Sequence, residues 1–292
     1  MNKAINWFTT FLSLFIGVSV SGQQASYGSN KSLLWSITGH HLKKPSFLFG
    51  TIHLICIDDY LWTPKMKECL NKSDNVCFEL NLADPSVMAQ VAIGLVDSSG
   101  KNLEDYFTQD QFKLLKKYIN DSLGMNIALF NKMKPIALQS IFSSSGLNCT
   151  NPTSYEDSIM KTAQASGKQI SGLEDPEEQI AALEKIPIDS VVVQLMDEMQ
   201  NNQKSDSEYN KLIAAYKSQD LPLLYKLITT SSEPGDELGV LLEDRNKKWI
   251  SRMGDKMNQS SVFFAVGAGH LWGDTGVINL LRKAGYSVKP LK

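Results

Sequence analysis

The stretch Val262-Phe-Phe-Ala-Val-Gly-Ala-Gly-His270 decides the fold that this sequence predicts. Its first five residues are all apolar, which is typical of a strand buried within a sheet. Gly267 follows and lets the chain turn sharply off the strand. His270 comes three residues after that glycine. We therefore expect its imidazole at the carboxyl edge of the sheet, where open α/β sheets bind ligands.

The same pattern occurs near the N-terminus. Residues 46–49 predict a second apolar strand, and Gly50-Thr-Ile-His53 follows it with the same glycine-to-histidine spacing. The other two of the four histidines, His40 and His41, lie in a turn-rich linker and are interpreted as surface residues. His53 and His270 are therefore the histidines that indicate a site.

Short apolar runs and amphipathic stretches alternate along the rest of the chain. Strands are predicted over 33–37, 46–49, 75–80, 169–173, 262–266 and 286–289, the first two forming a hairpin. One helix is predicted to begin at the capping box of Thr108. The other predicted helices span 85–96, 134–143, 154–166, 176–185, 187–230 (with polar breaks), 237–253 and 275–284. A loop is predicted over 231–236.

This order of elements predicts an α/β (α+β) fold. Strands at both ends of the chain imply a mixed central sheet built from the N-terminal and C-terminal halves. The residues between them, about 85–260, form a largely helical middle lobe within one domain over 23–292.

Two glutamates fall at strand ends. Glu79 lies at the end of the strand 75–80, and Glu174 directly follows the strand 169–173. A carboxylate in an apolar strand is costly unless it is paired, hydrogen-bonded or bound to a metal. Two other interpretations remain open: an edge-strand position facing water for Glu79, and a favourable position before the following helix for Glu174.

Arg245 falls on the apolar stripe of the helix predicted over 237–253, between Leu242 and Trp249. A charge at that position needs a carboxylate or a substrate oxygen as its partner, unless the side chain extends to the rim. Glu156, two positions after the expected N-cap Ser154, is interpreted as a first-turn residue that favours the helix dipole.

Composition and motifs exclude several classes of protein. Lys and Arg number 29 and Asp and Glu 31, which argues against a nucleic-acid binder with a broad basic face. No apolar run reaches the ~18 residues of a membrane span without polar interruption, so a multi-span membrane protein is excluded. The sequence contains no HExxH, GxSxG or P-loop motif.

The N-terminus predicts export. Residues 1–22 combine a positively charged start with an apolar core over 7–20, as in a secretory signal peptide. Val20 and Gly22 are small enough to place the cleavage before Gln23. We therefore expect a secreted or periplasmic protein with no stable membrane span after cleavage. A single membrane anchor is the alternative.

Export would place the four cysteines, Cys56, Cys69, Cys77 and Cys149, in a compartment that permits disulfides. Four cysteines allow three full pairings, and buried free thiols are the other outcome. The sequence leaves these open.

Together, the strand-end residues predict a metal site made of two histidines and a carboxylate: His53, Glu79 and His270. Such a site with an open position lowers the pKa of a bound water toward ~7 and activates it for attack on a carbonyl or phosphoryl centre. Glu79 would be the third ligand or the general base, and Arg245 would stabilise an oxyanion or bind a substrate carboxylate.

Five motifs resemble, in their order, those of the TraB/PrgY/GumN family, which is related to the Tiki metalloproteases. They are Phe47-Leu-Phe-Gly-Thr-Ile-His53, Phe78-Glu79-Leu80, Gly172-Leu-Glu174, Arg245-Asn246 and Ala265-Val-Gly-Ala-Gly-His-Leu271. The resemblance covers about residues 30–292 and implies a fold akin to the erythromycin-esterase and haem-binding ChaN proteins.

In Tiki relatives, two Gly-x-x-His histidines and a glutamate serve a metal-dependent peptidase activity, with manganese or cobalt implicated. By matching motif, the resemblance assigns these roles to His53, His270 and Glu79. Glu174 and Arg245-Asn246 match other positions that the family keeps, with less settled roles.

We therefore expect a secreted or periplasmic metal-dependent hydrolase that acts on peptide or protein substrates. Glu79, Glu174 and Arg245 are the expected catalytic residues. The divalent cation is manganese or cobalt by resemblance, and zinc is the further candidate. The alternative is a non-catalytic protein that sequesters a peptide or a haem-like ligand in the same cleft. Turnover that metal restores would distinguish the two.

Overall fold

The computed structural model describes residues 31–145, 149, 151–200, 202–230 and 239–292. The predicted signal peptide over 1–22 and the predicted loop over 231–236 lie outside these residues.

The strands form one large and one small sheet. In chain order they are β1 (Leu34–Thr38), β2 (Ser46–Thr51), β3 (Ile55–Cys56), β4 (Asn75–Phe78), β5 (Pro152–Thr153), β6 (Gln169–Gly172), β7 (Val262–Gly267) and β8 (Ser287–Leu291). The large sheet has the order β6-β4-β7-β2-β1-β8, and β3 pairs with β5 in the small one.

The large sheet is mixed, as predicted. Strands β6, β4, β7 and β2 are parallel, whereas β1 is antiparallel to both β2 and β8. The predicted hairpin of β1 and β2 is present. The central pair β2 and β7 is almost fully buried, which explains why both strands are apolar runs. The α/β fold class and the pairing of distant halves of the chain are confirmed.

The helices pack around this sheet and beside it. They are α1 (Pro64–Lys72), α2 (Pro85–Gly94), α3 (Gln109–Leu123), α4 (Pro135–Ser145), α5 (Tyr155–Ala165), α6 (Pro176–Leu183), α7 (Ile188–Gln200), α8 (Asn202–Lys217), α9 (Leu221–Thr230), α10 (Asp244–Gln259) and α11 (Val277–Lys283). Among the described residues, no helix has both the length and the apolar composition that crossing a bilayer requires.

Two hydrophobic clusters stabilise the chain. The first surrounds the sheet and includes Trp35, Phe263 and Trp249, all fully buried. The second lies among α3, α4 and α7, and includes Leu115 and Leu195. The predicted capping box at the start of α3 is present: Thr108 Oγ1 accepts from the Gln111 N–H, and Gln111 Oε1 accepts from the Thr108 N–H.

Several predicted boundaries were wrong. Strand β4 ends at Phe78, so Glu79 follows it directly. Because β4 lies between β6 and β7, the edge-strand interpretation of Glu79 was also wrong. The helix predicted over 237–253 is instead a π-helical turn over Gly239–Glu243 followed by α10, which continues to Gln259. The local pattern gave no warning of that turn.

The cysteines combine both outcomes that the sequence left open. Cys56 forms a disulfide with Cys149, which lies 93 residues away along the chain. Cys69 and Cys77 are buried free thiols. The disulfide links Cys149 to β3 of the small sheet.

Candidate functional site

Two parallel strands direct both Gly-x-x-His turns to the same edge of the sheet. In the register of β2 and β7, Thr51 lies opposite Gly267. Strand β4 lies on the other side of β7, so Glu79 emerges at this edge as well. The structure brings His53, Glu79 and His270 together, with Arg245, around a cavity of about 480 Å³. Such volumes are typical of small-ligand sites.

Close packing explains both glycines. A Cβ on Gly50 would lie 3.0 Å from the Leu271 side chain and 3.1 Å from that of Ala268. A Cβ on Gly267 would lie 3.3 Å from Glu79 Oε1, and the Gly267 N–H donates to that oxygen at 2.8 Å. The last residue of β7 therefore contacts Glu79 directly through its backbone.

His270 is buried and has a defined tautomer. Its Nδ1 lies 2.7 Å from Asn246 Oδ1. The Asn246 Nδ2 donates to the carbonyls of His270 (3.2 Å) and Thr275 (2.9 Å), which fixes the amide so that its oxygen faces the ring. Nδ1 therefore carries the proton, and Nε2 keeps its lone pair. Burial lowers the pKa of His270 to about 4, so the ring is neutral at pH 7.

Arg245 lies between two carboxylates. Its NH2 donates to Glu79 Oε2 at 2.6 Å and to Glu174, and its Nε lies 3.1 Å from each Glu174 oxygen. Its NH1 lies 3.0 Å from the Leu241 carbonyl oxygen and 3.3 Å from His270 Nε2. The charge on the apolar face of α10 is therefore paired with carboxylates, and the Arg245 side chain does not extend to the solvent-exposed rim of the helix. These contacts use all five N–H groups, so none is left for a substrate oxyanion in this arrangement.

Glu174 is buried, with an exposed fraction of 7%. Besides Arg245, it accepts hydrogen bonds from Trp249 Nε1 at 3.2 Å and Gln179 Nε2 at 3.1 Å. This buried pairing, more than its position before α6, accounts for a carboxylate at residue 174.

Glu79 is a buried carboxylate beside His270. Burial raises the pKa of Glu79, but the neighbouring His270, Arg245 and His53 and the Gly267 N–H outweigh it and hold the pKa at about 2. Its Oε1 lies 3.8 Å from His270 Nε2. At neutral pH the site therefore presents an ionised carboxylate next to a neutral imidazole.

His53 is oriented by Glu156, a residue that the sequence analysis had not assigned to the site. His53 Nδ1 lies 3.2 Å from Glu156 Oε1, and the side chain of His53 is 76% exposed. Glu156 also accepts from Thr51 Oγ1 at 2.6 Å and Ser154 Oγ at 3.0 Å. The hydrogen bond to Glu156 raises the pKa of His53 to about 9. The first-turn interpretation of Glu156 was incomplete, since no local pattern reveals a partner 103 residues away.

The donor types suit a divalent cation, and His270 meets one further requirement. Histidines that bind metals hold their second ring N–H in a hydrogen bond, which orients the ligating nitrogen. Asn246 provides this bond for His270. In the part of the chain that is described, however, no three His, Cys, Asp or Glu side chains are grouped to hold a metal ion. Glu79 is held by Arg245, and His53 by Glu156.

The chain matches the profile of the TraB/PrgY/gumN family over residues 33–290. Among curated proteins, it is similar to metalloprotease TIKI2 of Danio rerio, with 22% identity over 98% of this chain and 68% of the relative. It is 23% identical to metalloprotease TIKI2 of Xenopus tropicalis, over 88% of this chain and 59% of the relative. A metalloprotease TIKI homolog of Amphimedon queenslandica is 24% identical, over 90% of this chain and 62% of the relative. No solved structure matches significantly.

Proposed function

The chain belongs to the TraB/PrgY/gumN family, and we propose on that basis that it is a metal-dependent hydrolase of peptide bonds. The names of its metalloprotease relatives support this proposal. The matches cover 68% and 59% of the first two relatives, so the activity of those whole proteins is carried over only as a proposal.

One observation carries the proposal: Asn246 fixes the tautomer of a buried, neutral His270. A histidine that serves only packing does not need a fixed tautomer; here the tautomer leaves Nε2 as an acceptor, 3.3 Å from Arg245 NH1. Nε2 also lies 3.8 Å from Glu79 Oε1, and His270 lines the cavity that His53 also lines. This arrangement suits a cation ligand.

His53, Glu79 and His270 would hold the cation. A bound divalent cation supplies a Lewis acid that polarises the substrate carbonyl and acidifies an attacking water. For all three to bind it, Glu79 and His270 Nε2 must both release Arg245, and His53 must turn from Glu156 and lose its proton. Manganese, cobalt and zinc are the candidates.

The other side chains hold the site in place. Glu174 keeps Arg245 charged and buried through their paired contacts, so Arg245 remains beside the cavity when Glu79 moves. If Glu79 is not a ligand, its ionised carboxylate can accept a proton from the attacking water once release of Arg245 raises its pKa from about 2. Arg245 is then a positioning residue, and binding of a substrate oxyanion would require it to leave one of its partners.

We also propose that the protein is exported to the periplasm or secreted. The signal-like composition of residues 1–22 supports this, as does the disulfide between Cys56 and Cys149, since such bonds persist in oxidising compartments. N-terminal sequencing of the exported protein should begin at or near Gln23. A cytoplasmic protein that retains Met1 would overturn this part of the proposal.

A ligand-sequestering protein is the second candidate. The ion pair between Arg245 and Glu79 favours it, because this contact holds the carboxylate away from a cation. The test is cleavage of a random peptide library with and without a chelator, followed by addition of each metal. Metal-restored cleavage supports the hydrolase. Peptide or haem-like binding without cleavage at any metal concentration supports sequestration.

A further inference from the structure

The cavity at the sheet edge has two chemically different walls. One carries His53, Glu79, Arg245 and His270. Much of the remaining lining is aliphatic, and we call this part the apolar wall: Leu183, Leu212, Leu224, Ile228, Leu241 and Leu242. The catalytic chemistry proposed above uses only the first wall, so the apolar wall requires a separate explanation.

The apolar wall is built from four elements between residues 176 and 243. Leu183 ends α6, Leu212 lies in α8, Leu224 and Ile228 lie in α9, and Leu241 and Leu242 belong to the π-helical turn before α10. Leu224 is buried, but most of the other side chains keep part of their surface open. Four elements therefore converge to present aliphatic surface to the cavity.

The apolar wall begins beside His270. A Cβ on Gly269 would lie 3.4 Å from Ile228 Cδ1 and 3.9 Å from Leu242 Cδ1. Gly269 is the residue directly before His270. A substrate group that reaches the imidazole would therefore place its neighbouring atoms against Ile228 and Leu242.

We propose that the apolar wall selects peptides that carry a large apolar side chain next to the bond that is cleaved. This inference rests on the proposed function and names its substrate class. A Leu, Met or Phe side chain would bury aliphatic or aromatic surface there, which is favourable in proportion to the area removed from water. An acidic or basic side chain in the same position would lose its hydration against aliphatic groups.

A peptide series tests the inference. Fluorogenic decapeptides identical except at one position, occupied by Leu, Met, Phe, Ala, Asp or Lys, are compared by kcat/KM with metal present. The expected kcat/KM for Leu, Met and Phe exceeds that for Asp and Lys by at least ~10-fold, the scale on which pockets discriminate apolar groups. Equal rates across the series would overturn the inference.

A matched pair of variants locates the selectivity. Ile228→Asp should reduce the preference for Leu over Lys by ~10-fold or more. Leu223→Asp, an exposed position on the same helix, should leave the preference unchanged. If both variants keep the wild-type preference, the apolar wall does not select the substrate.

Binding separates failure of this inference from failure of the proposed function. The same peptides are titrated by fluorescence anisotropy into the Glu79→Gln variant. Selective binding of Leu, Met and Phe peptides with no cleavage by wild type overturns the hydrolase and keeps only the claim that the apolar wall binds large apolar side chains. Cleavage of all the peptides at similar rates supports the hydrolase and overturns the inference about the apolar wall. Peptides that neither bind nor are cleaved overturn both, as does binding of a haem-like ring alone.

Discussion

Asn246 Oδ1 lies 2.7 Å from His270 Nδ1, and this contact sets the chemistry of the site. The amide cannot turn over without losing both of its donated hydrogen bonds, to the carbonyls of His270 and Thr275. His270 therefore presents Nε2 as an acceptor. The helix α10 supplies both Asn246 and its neighbour Arg245, so one helical turn orients the imidazole and pairs the carboxylates.

Removing Asn246 should weaken metal binding. Asn246→Ala frees the tautomer of His270, and loss of such a supporting contact typically costs ~10–100-fold in metal affinity. Isothermal titration with manganese, cobalt and zinc measures this. Asn246→Asp keeps an acceptor for Nδ1 but loses both donated hydrogen bonds to carbonyls, so it should bind metal more tightly than Asn246→Ala and more weakly than wild type. Asn279→Ala, at an exposed amide, is the control. Wild-type affinity in Asn246→Ala would contradict the assigned role.

Breaking the buried charge cluster should destabilise the fold. Arg245→Met leaves Glu79 and Glu174 buried without their cation, which costs about 3–5 kcal/mol in the free energy of unfolding. Urea unfolding measures this loss. The triple variant Arg245→Met, Glu79→Gln, Glu174→Gln removes the charges as well and should recover a large part of it. If Arg245→Met is as stable as wild type, the cluster does not stabilise the fold.

The strand ends were predictable from sequence because their signals are local. An apolar run followed by glycine and histidine revealed His53 and His270, and a charge on an apolar helix stripe indicated that Arg245 needs a partner. The shared spacing from Gly50 to His53 and from Gly267 to His270 also predicted that both turns lie at one edge of the sheet. The register of β2 and β7 agrees with that expectation.

Residues whose role depends on distant contacts were harder to predict. Glu156 binds His53 across 103 residues, and Glu174 binds Arg245 across 71. Ordinary helix-start preferences account equally well for an acid at either position, so the sequence favours the simpler interpretation. The pairing of Cys56 with Cys149 is likewise set by the tertiary fold.

The ion pair between Arg252 and Glu178 should make stability depend on pH. The hydrogen bonds of Arg252 lower the pKa of Glu178 to about 2. The unfolded chain binds this proton near its ordinary pKa, about 4.3. The contribution of the pair is therefore fully present above that value and is lost as the pH falls toward 2. Because both side chains are partly exposed, we expect about 1 kcal/mol at most.

Urea unfolding of Glu178→Gln and wild type at pH 7 and pH 3 checks this. The difference between them should be larger at pH 7. Glu177→Gln, at the exposed neighbouring position, should show little difference at either pH. A Glu178→Gln effect that grows at pH 3 would contradict the assigned pairing.

The cysteines should behave as one disulfide and two protected thiols. Alkylation of the unreduced protein should label Cys69 and Cys77 only after denaturation, and mass spectrometry should find Cys56 linked to Cys149. Replacing the linked pair by serine should cost about 2–5 kcal/mol in unfolding free energy. Four labelled thiols in the exported protein would contradict the pairing.

The role of Glu79 is decided by comparing two properties of one variant. Glu79→Gln and His270→Ala should each abolish turnover, and His270→Ala should also lose most metal affinity. If Glu79→Gln keeps its metal, Glu79 is the base; if it loses the metal, Glu79 is a ligand. Because residues that act as one unit are not additive, the double variant His53→Ala, His270→Ala should be no worse than either single one.

Peptide turnover as a function of metal is the most direct test of the central claim. Wild-type protein, His270→Ala and the exposed-histidine control His41→Ala are treated with a chelator, then supplied with manganese, cobalt or zinc. We expect wild type and His41→Ala to lose turnover with the chelator and regain it with metal, while His270→Ala stays inactive throughout. Turnover that survives chelation in wild type, or that metal restores in His270→Ala, would contradict the account.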